Sequence, residues 1–156
     1  MSLPAHPIDL RIRVMEARDR FAWAEMRAAL WPEESAAEHA HGIDDVLRSD
    51  RAWGFIAEVD GAPAGFAELA IRDYANGCAS RPVPFLEGIF VPEEFRRHGI
   101  GARLVAHVEQ FAVARGFTEM GSDAEIANLA SHAAHRSWGF AETERVVYFR
   151  KVLGGA

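Results

Sequence analysis

One junction limits what this chain can become. Residues 85–91, FLEGIFV, form an apolar run broken only by Glu87 and Gly88, the pattern of a strand buried on both faces. The run ends at Pro92, crosses a glycine-bearing loop, Arg96-Arg97-His98-Gly99-Ile100-Gly101-Ala102, and enters a segment in which Ile100, Leu104, Val105, Val108, Phe111 and Ala112 recur at spacings of three and four. That spacing predicts an amphipathic helix, with Gly116 as its C-terminal cap. A central strand feeding a helix through a short loop is the basic unit of an α/β, or mixed α+β, arrangement.

The remaining segments fill in that arrangement. Ile8, Leu10, Ile12 and Val14 alternate with charged residues, predicting a first strand over 8–14. Helical spacing over 17–30 halts before Trp31-Pro32, because proline disfavours helix in the residue ahead of it. Ser35 and Glu38 stand at capping-box spacing, so a second helix is expected from Ser35 to about Ser49. Asp60-Gly61 between WGFIAEV (53–59) and APAGFAELAI (62–71) predicts a two-residue hairpin. Residues 72–84 read as an irregular excursion, of the kind that often carries function. A short strand over 117–122, a helix from Glu125 to Ser137 and a last strand over 140–150 complete the order, with Asp123 available as a helix cap. With no repeats or linkers, residues 1–156 read as one domain.

The loop at Arg96–Ala102 favours an anion. The amides of a helix's first turn and the positive end of its dipole attract negative charge, and glycine lets a phosphate approach the backbone. Gly-Lys-Ser/Thr is missing at Walker A spacing, and Leu104 stands where a dinucleotide fingerprint needs its third glycine. Both common nucleotide loops are thereby disfavoured.

With 17 basic and 23 acidic residues the net charge is −6, which disfavours nucleic acid or an anionic membrane as partner and favours a cationic one. Cys78 is the only cysteine, too few for an internal disulfide or a thiolate zinc site, and nothing local marks it as an activated nucleophile. No stretch reads as a leader or a membrane span, so the expected location is the cytoplasm. His132 and His135 share a helix face but lack a third ligand, so no metal is expected. The other histidines (His6, His39, His41, His98, His107) are expected at the surface. Glu87 stands out, since a carboxylate inside a buried strand is costly unless paired or working.

Arg96-x-x-Gly99-x-Gly101, after a strand ending in Phe90-Val91 and before an amphipathic helix, resembles the acyl-coenzyme A pyrophosphate loop of the GNAT superfamily of N-acetyltransferases. Asn128, followed by helical residues closing at Trp138-Gly139-Phe140, is similar to the segment beside the pantetheine arm in that superfamily. Further matches run from Trp31 to Lys151: Leu30-Trp31-Pro32, Asp73-Tyr74-x-Asn76-Gly77-Cys78, residues 85–91, Ser122-Asp123 and Phe140-x-Glu142-Thr143-Glu144-Arg145-Val146. These resemble the small dimeric aminoglycoside 6′-N-acetyltransferases.

The resemblance implies the GNAT acyl-CoA N-acyltransferase fold, a central mixed, mostly antiparallel sheet flanked by helices. It implies acetyl-CoA as co-substrate, met by Ile89, Phe90, Val91, Arg96, Arg97, His98, Gly99, Ile100, Gly101, Ala102, Asn128 and His135. A polycationic aminoglycoside would face Trp31, Tyr74, Glu87, Asp123 and Glu144, aromatic faces and carboxylates suited to ammonium groups. The reaction would be direct transfer in a ternary complex, with Asp123 as first choice of base and Glu87 as second. A backbone amide near Val91 would steady the acetyl oxygen. The superfamily's usual tyrosine is replaced by His135, so His135, Tyr148 or water would protonate the departing sulfur. A homodimer is implied, through the last strand or a swapped C-terminal segment. Another small amine (a polyamine, amino sugar or peptide) is the rival substrate, and a noncatalytic acyl-CoA-binding module the rival function.

Overall fold

Asp60 and Gly61 take φ of 50° and 82°. This is the tight turn expected of Asp-Gly, and it folds β2 (Ala52–Val59) back on β3 (Ala62–Arg72). β1 (Leu10–Val14) pairs antiparallel with β2, β4 (Val83–Phe90) antiparallel with β3, and β5 (Gly121–Ser122) parallel with β4. The sheet order is β1-β2-β3-β4-β5, a mixed and mostly antiparallel sheet. The computed structural model describes residues 7–155, so His6 lies outside the described residues. The chain divides into two compact units, Met1–Asp123 and Ala124–Ala156.

The helices of the first unit follow the predicted signals. α1 (Arg20–Leu30) stops at Trp31, and α2 (Ala36–Arg48) starts from a complete Ser35/Glu38 capping box. Trp23 and Met26 of α1 and Ile43 of α2 pack with Ile56 and Phe66 in one core cluster. Alternate residues of β2 and β3 serve α3 (Ile100–Val113): Phe55 stands 5.1 Å edge-on to Phe111, and Leu104 reaches over Gly65.

β4 carries one irregularity in its pairing with β3. Glu68 of β3 pairs with Gly88 and Leu69 with Leu86, so Glu87 is an extra residue in a bulge. Pairing with β5 covers only Phe85↔Gly121 and Leu86↔Ser122. Glu87 and Asp123 therefore each follow the last parallel rung.

Four expectations need correction. Residues 140–155 form no strand or helix, although their alternation reads as one; a strand needs a neighbour to complete its hydrogen bonds, and a period of two shows a face without naming a partner. The strand expected over 117–122 shrinks to Gly121–Ser122. α4 (Leu129–Ser137) starts four residues later than expected, with Asn128, not Asp123, accepting from the Ser131 amide at its N-terminus. His39 is only 2% exposed, held under α1 where Arg27 donates to its carbonyl; His107 is half-buried against Phe55, while His41 and His98 are exposed as expected.

Candidate active site

The anion loop is built largely from backbone. After β4 a 3-10 turn, Glu93–Phe95, leads to Arg96, whose Nε donates to the Val91 carbonyl at 2.9 Å. Arg97 sits at φ 67° and Gly99 at φ 73°, so the chain enters α3 through a left-handed step that glycine adopts without strain. The first intrahelical bond runs from the Arg103 amide to the Gly99 carbonyl, so the preceding first-turn amides have no helical acceptor. A side chain at Gly99 would project into open space, and Arg96 and Arg97 are exposed beside it. Clustered donors, two guanidinium groups and an open approach fit a diphosphate.

The neighbouring surface is built from side chains. Trp31, at the end of α1, covers Gly88: a β-carbon there would lie 2.6 Å from the indole, so the ring occupies that space, one residue from Glu87. Trp31 also meets Phe66 edge-on at 6.3 Å. Tyr74 is exposed in the excursion after β3, with the Arg81 guanidinium 5.5 Å from its ring centre. A cavity of about 450 Å³ is lined by Arg51, Ile71, Arg72, Asp73, Tyr74 and Asn76, among others. Glu87 receives a two-pronged ion pair from Arg72, 2.8 and 2.7 Å to its two oxygens. Asp123 is exposed at the end of β5. Burial and then the Glu119 charge push the Cys78 thiol up, away from the thiolate form.

The second unit holds the other candidates. His135 Nδ1 lies 2.7 Å from the Ser131 carbonyl. A carbonyl only accepts, so Nδ1 carries the proton; His135 could donate through Nε2 only as an imidazolium. Its ring packs between Trp138 (5.4 Å) and Phe140 (5.2 Å). His132 Nε2 lies 2.9 Å from the Glu125 carbonyl. Glu144 and Tyr148 are exposed in the segment without secondary structure, Tyr148 at 80%. Among the described residues, no group of three or more His, Cys, Asp or Glu side chains could hold a metal ion, and no helix is long and apolar enough to cross a membrane.

Residues 20–140 match the acetyltransferase (GNAT) family model. Over 135 residues the chain is 50% identical to an aminoglycoside N(6′)-acetyltransferase type 1 of Serratia marcescens, covering 85% of this chain and 92% of that protein. The chain belongs to the GNAT acetyltransferases. A second aminoglycoside N(6′)-acetyltransferase type 1, from Salmonella typhimurium LT2, is 42% identical over 90% of this chain and 97% of its own. Among solved structures, aminoglycoside N-acetyltransferase AAC(6′)-Iy in complex with CoA superposes with a TM-score of 0.89 at 39% identity, covering 96% of this chain and 99% of that one. AAC(6′)-Iy in complex with the bisubstrate analog CoA-S-monomethyl-acetylneamine gives 0.87 at 40% identity, over 92% and 98% of the two chains.

Within this GNAT acetyltransferase, the residues that sequence reasoning missed are the partners of its glutamates. Of the two strand glutamates, Glu68 is the buried one, 5% exposed. Trp23 Nε1 donates to its Oε1 at 2.7 Å and Arg27 Nε lies 3.2 Å from the same oxygen. Burial pushes the Glu68 carboxyl up, against the pull of Arg27 and Trp23. Arg27 also stands 4.9 Å from the Trp31 ring, linking this pair to the indole that covers Gly88. A glutamate inside the otherwise apolar GFAELAI was the available signal.

Proposed function

We infer that this acetyltransferase uses acetyl-CoA to acetylate the 6′-amine of aminoglycosides, by direct transfer in a ternary complex. The observation that carries this reading is the register at the last parallel rung. Leu86↔Ser122 puts Glu87 and Asp123 at the place where β4 runs on toward the anion loop. Two carboxylates and the loop of first-turn amides thus lie toward one end of one strand pair, where α/β sites gather, which supports this reading.

Bound acetyl-CoA supplies an activated acyl carbon: the amine nitrogen bonds to it, the carbon–sulfur bond breaks and the thiolate leaves. The residues of the chain do the rest. Arg96, Arg97, His98 and the amides from Gly99 through Ala102 hold the diphosphate, and Asn128 and His135 flank the pantetheine arm. Trp31, Tyr74, Glu87, Asp123 and Glu144 receive the ammonium groups. The substrate amine arrives protonated, and Asp123, with Glu87 as second choice, takes its proton directly or through water. Ile89, Phe90 and Val91 border the thioester. The Val91 amide, just past the β3–β4 rung Phe66↔Phe90, donates to the acetyl oxygen as charge grows there. His135 as imidazolium, Tyr148 or water returns a proton to sulfur; a thiol pKa of about 8.5 makes that help useful and not obligatory.

The enzyme is taken as one acetyltransferase domain, working in the cytoplasm where its acetyl donor is made. It is also taken as a homodimer. Val147, Tyr148, Phe149, Val152 and Leu153 are all more than two-thirds exposed, on a segment that alternates like a strand and has no ladder. A second copy is the partner that completes it. Light scattering on the full chain should give twice the 17.2 kDa monomer mass, and a monomer would overturn the dimer.

The reaction is tested by thiol release from acetyl-CoA over an amine panel. Turnover is expected with an aminoglycoside bearing a 6′-amine and none with its 6′-hydroxyl counterpart; preference for spermidine would assign the enzyme to another amine. Asp123→Asn should lower kcat by about 10²- to 10⁴-fold, the usual contribution of a positioned base. An unchanged rate would remove Asp123 from the base role.

A further inference from the structure

The cavity beside Tyr74 has a feature that a polycation site should not need: two arginines in its wall. Each is matched to a carboxylate. Arg51 meets Asp73 at 3.0 Å, and Arg72 grips both oxygens of Glu87. The Arg72 and Glu87 side chains are 40% and 29% exposed, so water reaches the pair. The Arg72 guanidinium also lies 3.6 Å from the centre of the Phe85 ring, a face that can keep holding it when a carboxylate does not.

We propose that Arg72 is a specificity residue, a built-in cation that occupies Glu87 until a substrate ammonium displaces it. This rests on the reading of Glu87 as a substrate-facing carboxylate. Three physical points carry it. Water reaches both side chains, 40% and 29% exposed, so the charges are screened and either can change partner when an ammonium arrives. The bulge leaves Glu87 without a facing residue in the β3 register, and it is Arg72 that holds both its oxygens. The displaced guanidinium has Phe85 beneath it, so exchange does not leave it without a favourable contact. A monoamine offers only one charge to set against the lost pair. An aminoglycoside offers several, and its other ammonium groups can offset the displacement at Asp123 and the aromatic faces. Arg72 thereby favours polycations over single amines.

The sign of the effect separates competition from positioning. If Arg72 competes, Arg72→Gln leaves Glu87 uncompensated and the amine binds more tightly. Calorimetry with kanamycin and no coenzyme should then show a Kd about three- to tenfold lower than wild type, the scale of one exposed ion pair. The KM for kanamycin should fall in step and the KM for acetyl-CoA should hold. Selectivity for kanamycin over a monoamino sugar should narrow. Arg72→Lys, a point charge that cannot fork onto both oxygens, should fall between Gln and wild type, and it guards against a folding defect in the Gln variant. A Kd for kanamycin that rises or stays the same in both variants overturns the proposal and makes Arg72 a residue that merely holds Glu87 in place. Failure of the underlying reading looks different: wild type itself shows no turnover of any 6′-amine, or Glu87→Gln leaves kanamycin binding untouched.

Discussion

Glu68 and Glu87 stand on neighbouring strands, either side of one bulge, and each is paired with an arginine. The likeness ends there. Glu68 meets Arg27 where both side chains are a tenth exposed or less, with an indole N–H on the same oxygen. Glu87 meets Arg72, which lines a cavity, with both side chains in contact with water. Burial decides what each pair can do. A pair without water cannot exchange partners, because separation would strand two charges in a medium that does not solvate them. A pair at a wet rim can separate and re-form at little cost. The first is built to stay closed, and the second is open to exchange.

The largest expected effect breaks the buried pair. Arg27→Met leaves the Glu68 carboxylate buried with only an indole N–H, and removal of one partner from such a pair costs about 3–5 kcal/mol. At roughly 2–4 °C per kcal/mol for a chain of this size, the Tm should fall by about 6–20 °C. The double variant Arg27→Met/Glu68→Leu should recover most of the loss, since an apolar pair of similar volume is often as stable as the ions it replaces. Arg72→Gln should cost less than about 1 kcal/mol in the same denaturation experiment. Equal losses at the two sites would erase the distinction between them.

The two sites were unequally legible in the sequence, for a physical reason. The hairpin at Asp60-Gly61, the capping box at Ser35 and the loop into α3 are encoded by residues close in the chain, and each formed as read. Glu87 was noticed because it interrupts an apolar run. Glu68 sits in a run of the same kind, but its burial depends on Trp23 and Arg27, some forty residues earlier, and no local pattern reports which helix will cover a strand. Arg72 was read as the first residue of the irregular excursion, whereas it ends β3, where β4 lays Glu87 beside it. The last strand failed in the same way, since alternation over 140–150 specifies a face and leaves the neighbour unstated.

An intermediate effect sharpens the comparison by crossing the two glutamates between two assays. Glu87→Gln should raise the KM for the amine, or lower kcat, by about tenfold, the scale of a lost charge-assisted contact, with the Tm close to wild type. Glu68→Gln should do the reverse, shifting the melting curve while coenzyme binding, followed by calorimetry, is retained. If Glu68→Gln alone abolishes amine binding with the fold intact, the buried pair is part of the acceptor site and not its foundation.

The smallest effect is a slope with pH, and its sign is fixed by burial. The Glu68 carboxyl is raised above its ordinary value of 4.5, with desolvation as the first cause. Between 4.5 and the raised value the folded chain holds a proton that the unfolded chain has released, so stability declines as pH rises through that window. The stabilisation is complete below 4.5 and lost above the folded value. One proton bounds the slope at about 1.4 kcal/mol per pH unit. Urea denaturation from the acid side of neutrality upward should show this decline. Glu68→Gln should flatten it, and Arg27→Met should carry it to higher pH by removing the cation that opposes burial. A slope of the opposite sign would mean that Arg27 outweighs desolvation at Glu68. The buried pair would then behave as an ordinary stabilising ion pair, and exposure would no longer be what distinguishes the two glutamates.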